Sequence, residues 1–191
     1  MSGRVLLVRH PPVAKAWAGR CYGRSDMGWS REGMRMAGEL ADRLAAEPHS
    51  LIVHSGAIRT RQLAEMVRKR SGRPVVSDPH WLERDFGGWE GRSWTAIWRE
   101  TGALMDKMMT APATFRPGGG ETGAALMRRV HAAWRDLSDR EDIVVVTHGG
   151  PIAALRALLT GHPLEKMIEL VPPHGAIIEV RRDGSSAPRE L

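Results

Sequence analysis

Five short runs dominated by consecutive apolar residues constrain this chain more than any other feature: "RVLLVR" (4–9), "SLIVHS" (50–55), "PVVS" (74–77), "DIVVVTH" (142–148) and "GAIIEVR" (175–181). A strand with one wet face alternates polar and apolar residues. A near-continuous apolar strand is covered on both faces. The stretches between the runs have helical spacing. Ala37, Leu40, Ala41 and Leu44 repeat at three and four residues after a cap at Ser30, and Leu126, Val130, Ala133, Trp134 and Leu137 do the same within 121–138. Residues 56–70 and 150–160 follow the second and fourth runs as further helices. Strand alternating with helix predicts an α/β three-layer sandwich: a mostly parallel central sheet with helices on both faces.

The segment from about 80 to 120 breaks this rhythm. It holds Trp81, Trp89, Trp94 and Trp98, then "LMDKMM", then the glycine run "PGGGETG" (117–123). It reads as a partly helical insertion over the active-site edge of one domain spanning 1–191, with its tryptophans and methionines serving as core. At 191 residues the chain is long enough for one substantial core. No run approaches the roughly 20 apolar residues that span a bilayer. The N-terminus lacks the pattern of a signal peptide, and the single cysteine, Cys21, excludes an internal disulfide. A cytoplasmic location is the expectation.

The chemistry lies where the strands end. "VLLVRHPP" (5–12) runs a buried strand into Arg9 and His10 and stops it with Pro11 and Pro12. The carboxyl end of a strand is where open α/β sheets place ligands. A histidine held there, with one ring nitrogen bonded to backbone, leaves the other free as a nucleophile. "HSGAIRTRQLAEM" (54–66) is a second strand-to-helix junction and puts Arg59 in the first helical turn. "IVVVTHGGP" (143–151) is a third: it delivers His148, then Gly149 and Gly150, with Pro151 near the helix start. "WLERDFGGWEG" (81–91) supplies three carboxylates, Glu83, Asp85 and Glu90, among Trp81, Leu82, Phe86 and Trp89. An acid in apolar surroundings has its pKa raised and serves as a proton donor. Each motif alone has an ordinary structural explanation. Together, arginines, two histidines and an acid at one sheet edge form a constellation for phosphoryl transfer through a phosphohistidine.

These motifs, in this order, resemble the histidine phosphatase superfamily, the branch that includes the cofactor-dependent phosphoglycerate mutases and many small phosphatases. The resemblance runs through residues 4–150. It implies a phosphoglycerate mutase-like fold, with His10 as the phosphorylated nucleophile, Arg9 and Arg59 as phosphate clamps, His148 as the second phosphate-binding histidine and Glu83 as the proton donor. The loop "GRCYGRSD" (19–26) looks most like that of the α-ribazole phosphatases of cobalamin assembly and their close relatives, which implies α-ribazole 5′-phosphate or adenosylcobalamin 5′-phosphate as the substrate and Tyr22 and Gly23 as substrate contacts; the last motif adds Gly149. Pro11, Pro12 and Val13 depart from the family pattern, which has glycine after the nucleophile, then an acidic residue and a hydroxyl or amide. Proline offers no N–H to a phosphate.

The expected activity is hydrolysis of a phosphoric monoester, without metal or other cofactor. The sequence has neither "HExxH" nor a cysteine–histidine cluster, and its arginines carry the charge a metal would. The alternatives are a phosphoglycerate mutase, which would lack here the extra length mutases carry, and a non-catalytic phospho-ligand-binding module. A net charge of +6, carried by scattered arginines without a stacking pattern of aromatics, argues against nucleic acid as a partner. The partner is then a small phosphorylated substrate, with no membrane and with a homodimer left open. His49, His54, His80, His131, His162 and His174 are assigned to structural or surface positions, and Arg20 and Arg24 to the rim.

Overall fold

The computed structural model describes residues 3–139, 141–183 and 188–191. Strands β1 (Arg4–Arg9), β2 (Leu51–His54), β3 (Val75–Ser77), β4 (Ile143–Thr147), β5 (Ile177–Arg181) and β6 (Arg189–Glu190) form one sheet in the order β3-β2-β4-β1-β5-β6. The helices are α1 (Arg31–Ala46), α2 (Ile58–Ser71), α3 (Trp94–Thr101), α4 (Lys107–Thr110), α5 (Gly123–Asp136) and α6 (Gly149–Thr160). Strands β1 to β4 are mutually parallel, whereas β5 runs antiparallel to β1 and β6 antiparallel to β5.

The apolar runs are continuous because each strand feeds two cores. Leu6, Val8, Ile52, Val144 and Val146 point to the α1/α2 side, where they meet Ala37, Leu40, Leu44, Leu63 and Val67. Val5, Leu7, Val53 and Val145 point the other way, against Leu126, Val130, Ile152 and Leu155 of α5 and α6. The three-layer sandwich follows from this alternation. Helix α1 begins where expected, with Ser30 Oγ accepting from the Gly33 N–H at 3.0 Å.

Strand register positions the site. Arg9 lies opposite Thr147, and His54 opposite Val146, so β2, β4 and β1 finish nearly flush, side by side. After α6 the chain passes through a 3-10 stretch, Leu164–Leu170, tied to α6 by Arg156 Nη1 donating to the Leu170 carbonyl at 2.8 Å. It returns to the same edge, where the Gly175 N–H donates to the Arg9 carbonyl at 3.1 Å. A strand that starts there can only run back, which is why β5 is antiparallel.

Residues 78–122 form short helical turns around a third apolar cluster, in which Cys21, Trp89 and Ile97 are buried with Phe86, Trp94, Met108 and Phe115 packed on them. Gly118 (φ 58°) sits so close to this segment that a Cβ would lie 2.2 Å from the Phe86 carbonyl oxygen, which accounts for the glycine run. Among the described residues no helix is long and apolar enough to cross a membrane.

Candidate active site

The three strand ends do converge. His10, directly after β1, is buried and hydrogen-bonded through its own backbone N–H to the Thr147 carbonyl at 3.0 Å. Its ring Nδ1 lies 2.8 Å from the Pro11 carbonyl oxygen. A carbonyl only accepts, so Nδ1 carries the proton and Nε2 holds the lone pair. Burial, and next the nearby Arg59 charge, push the His10 pKa well below the ordinary histidine value. The ring is therefore neutral at pH 7, as a nucleophile must be. The proline after the histidine does not disturb this, because the orienting group is its carbonyl, which every residue has.

His148 caps α6 from the end of β4, its ring centroid 5.2 Å from that of His10. Its Nε2 meets Ser55 Oγ at 2.8 Å, and Ser55 Oγ meets Thr60 Oγ1 at 2.8 Å. Thr60 gives its only hydroxyl proton to the Ala57 carbonyl. The Ser55 proton then goes to Thr60, and Ser55 accepts from His148 Nε2–H. This leaves His148 Nδ1 unprotonated, buried and without a hydrogen-bond partner. Burial, with Arg59 second, lowers the His148 pKa well below its usual value.

Arg59, in the first turn of α2, is wholly buried. Its Nη1 donates to the Ser25 carbonyl at 2.8 Å and its Nη2 to the Gly23 carbonyl at 2.6 Å, while the guanidinium lies 5.5 Å from the Tyr22 ring centroid. Arg9 donates through Nη1 to the Pro172 carbonyl. The Nε atoms of both arginines are buried without a partner. Gly149, the first residue of α6, is packed so tightly that a Cβ would lie 3.2 Å from Arg9 Cζ and 2.8 Å from Val171 Cγ1. Two arginines with buried unpaired Nε atoms, both close enough to His10 to act on its charge, and the positive end of α6 at Gly149 make an arrangement that favours a dianion.

The three candidate carboxylates separate cleanly. Glu83 accepts from the Arg84 N–H at 2.8 Å and from the Gly150 N–H at 3.1 Å, which holds it at the start of α6, and it lines one cavity with Arg9, Tyr22 and Gly149. Its surroundings are thus less apolar than the flanking tryptophans suggest. Glu90 is consumed in fixing the 23–26 loop, accepting from the Arg24 N–H, the Ser25 N–H and the Ser25 hydroxyl. Asp85 accepts from the Gly87 N–H and lies 3.7 Å from Arg24. Gly23 lines the cavity with its carbonyl engaged by Arg59. Arg20 also lines the cavity, while donating to the Ala16 and Gly91 carbonyls.

Two residues of the site escape sequence reasoning. His174, assigned above to a structural or surface position, has its ring centroid 5.2 Å from that of His10 and its Nε2 3.3 Å from the Tyr22 hydroxyl. Burial and then Arg9 lower its pKa to about 4. Only the return of the chain before β5 brings it there, and no local pattern signals that. Arg129, on α5, donates to the carbonyls of His80, Leu82 and Glu83 at 2.7, 2.7 and 3.0 Å, and pairs with Glu121 at 2.8 Å. It fixes the backbone that carries Glu83. Among the described residues no group of three or more His, Cys, Asp or Glu could hold a metal ion.

The open α/β sheet with an anion site at the carboxyl ends of its strands defines the class. The profile of the Histidine phosphatase superfamily (branch 1) matches residues 5–188, and the chain belongs to that family. It is 29% identical to the "Probable phosphoglycerate mutase GpmB" of Yersinia pestis (strain Pestoides F) over 163 residues, 84% of this chain and 76% of the relative. Among solved structures it resembles the mycobacterial glucosyl-3-phosphoglycerate phosphatase, with a TM-score of 0.82 and 26% identity over 100% of this chain and 97% of that one. It shares the fold of the alpha-ribazole phosphatase from Shigella flexneri, with a TM-score of 0.78 and 24% identity over 92% and 89% of the two chains.

Proposed function

We propose that the protein is a metal-independent phosphomonoesterase that hydrolyses a small phosphate ester through a phosphohistidine on His10. The observation that carries this is the fixed tautomer of His10, whose Nδ1–H is spent on the Pro11 carbonyl so that Nε2 is left as nucleophile. The phosphate docks against Arg9, Arg59, His148 and the Gly149 end of α6. His10 Nε2 attacks phosphorus, the P–N bond forms, the P–O bond to the alcohol breaks, and Glu83 gives its proton to the departing oxygen. Water then attacks phosphorus, the P–N bond breaks, and the water proton passes to Glu83. The arginine charges complement the equatorial oxygens throughout. Phosphate release from p-nitrophenyl phosphate, α-ribazole 5′-phosphate and 3-phosphoglycerate, measured in chelator, tests this. Release that needs an added metal overturns the metal-free reading. The name of the Yersinia relative supports a second reading, mutase-type transfer; isomerisation of 3-phosphoglycerate outpacing its hydrolysis would establish it.

Two expectations follow from the geometry. Neutral His148 presents a bare Nδ1 to a site built for phosphate, and a bound dianion favours the protonated ring. Binding of sulfate, a dianion that does not titrate near pH 7.5, is therefore expected to take up about one proton per chain at that pH. Calorimetry in buffers of different ionisation enthalpy measures it, and zero uptake would show that His148 stays neutral beside the bound anion. For Arg129→Lys the charge stays but one ammonium cannot serve three carbonyls. Glu83 then loses its fixed position, and kcat is expected to fall roughly 10- to 100-fold with little change in KM. A raised KM with kcat unchanged would argue for a binding role instead.

A further inference from the structure

Arg9, Glu83, Gly149 and Gly150 of the site also line a cavity of about 310 Å³ that carries several large apolar side chains. Its walls come from three separate pieces of chain: Phe86 and Trp94 beside Glu83, Met108 and Met109 from α4, and Ile168 and Val171 at the end of the Leu164–Leu170 stretch. Met109, Ile168 and Val171 are 42%, 57% and 36% exposed, so the mouth shows large apolar side chains to water. Such a surface is costly unless something covers it, and a patch continuous with a reaction site marks a binding groove.

The polar residues of the same cavity are poor partners for a second anion. Arg20 donates Nε and Nη1 to the Ala16 and Gly91 carbonyls, which hold its guanidinium against the backbone at the exposed rim. Arg84 is buried, stacks 5.6 Å from the Phe86 ring centroid and donates Nε to the Glu121 carbonyl, and its charge is offset by Glu121 and Glu83. Its Nη2 has no partner and remains a donor for a neutral acceptor. Glu165 is exposed among the lining residues and repels a carboxylate.

We propose, building on the phosphatase reading, that the alcohol half of the substrate is a compact apolar group, aryl or branched alkyl, seated against Phe86, Trp94, Met108, Met109, Ile168 and Val171. Phosphates of small polar or acidic alcohols place their charge against this wall and are poor substrates. A cavity at the small end of the usual range of roughly 300–1,000 Å³ fits one or two fused rings beside the phosphate. The methionines adapt to the outline of the group.

Phosphate release from 1-naphthylmethyl phosphate, glycerol 1-phosphate and 3-phosphoglycerate, all esters of alkyl alcohols, by the intact protein tests this. The naphthylmethyl ester is expected to have kcat/KM roughly 30-fold above the other two. In a Met109→Glu/Ile168→Glu variant, altered where the side chains are already about half exposed, that preference is expected to fall at least tenfold. Equal or better turnover of 3-phosphoglycerate overturns this inference and leaves the phosphatase reading standing. No release from any ester overturns the phosphatase reading. Calorimetry with naphthylmethylphosphonate and methylphosphonate then decides the pocket alone, and equal Kd values overturn it.

Discussion

A His10→Ala variant is expected to release phosphate from any ester roughly 10⁴-fold more slowly than the wild-type protein, or worse. The size of the loss follows from what His10 does. It forms the covalent bond to phosphorus, so removing it abolishes the two-step route and leaves only water attacking a phosphate held by arginines. The diagnostic measurement is chemical. A wild-type sample quenched in base during turnover carries phosphate that acid then removes, as expected for a P–N bond. The variant carries none. Other nucleophiles near the site do not replace it. Burial, followed by the charges of Glu90 and Glu83, pushes the Cys21 thiol up to about 12, so its thiolate is scarce at neutral pH. His174 is neutral, but its Nε2 is engaged with the Tyr22 hydroxyl. Base-stable labelling that survives in His10→Ala would move the nucleophile elsewhere and sink the assignment.

Much of this architecture is legible in the sequence for a simple reason. A strand that serves two cores must be apolar at every position, and a surface helix must be apolar at every third or fourth, so β1, β2, β4, α1 and α5 announce themselves. Ends of those strands are equally legible, because a charged or titratable residue at the close of such a run needs a partner or a ligand. Arg9, His10 and His148 are found that way, and Arg59 from the helix start that follows β2. What sequence cannot show is which distant loop meets that edge. His174 arrives through an irregular return, and β6 is two charged residues long. Arg129 sits in a helix whose apolar stripe says nothing about a neighbour that reaches back to three carbonyls.

The 80–120 segment shows a subtler failure. Its tryptophans and methionines suit a core, and Trp81, Trp89 and Ile97 are buried. Yet α3 has eight residues and α4 four, too few to enclose all the apolar side chains they carry. Trp94, Met108 and Met109 are left to line the cavity. Composition alone cannot separate a side chain that packs inward from its neighbour that faces a ligand.

Of the three carboxylates, Glu83 is the one whose loss should matter most after His10. In Glu83→Gln the amide keeps the size of the carboxylate but cannot donate a proton to an alkoxide. Its NH₂ group also faces either the Arg84 or the Gly150 N–H, where the carboxylate now accepts from both. Esters of poorly leaving alkyl alcohols are expected to lose roughly 10²- to 10⁴-fold in kcat/KM, because general acid catalysis of that step is gone. An ester such as p-nitrophenyl phosphate needs less help in its first step and should phosphorylate His10 readily. Its second step still needs Glu83 to take a proton from water, so the phosphoenzyme accumulates and nitrophenol appears in a burst. Asp85→Asn supplies the contrast: that carboxylate meets Gly87 and Arg24, is 37% exposed, and its loss should change the rate by no more than about threefold. Rapid-quench kinetics on the two variants reads both steps at once. Should Asp85→Asn show the burst and Glu83→Gln turn over normally, the proton donor is Asp85 and the hydrogen bonds at the start of α6 serve only to cap the helix.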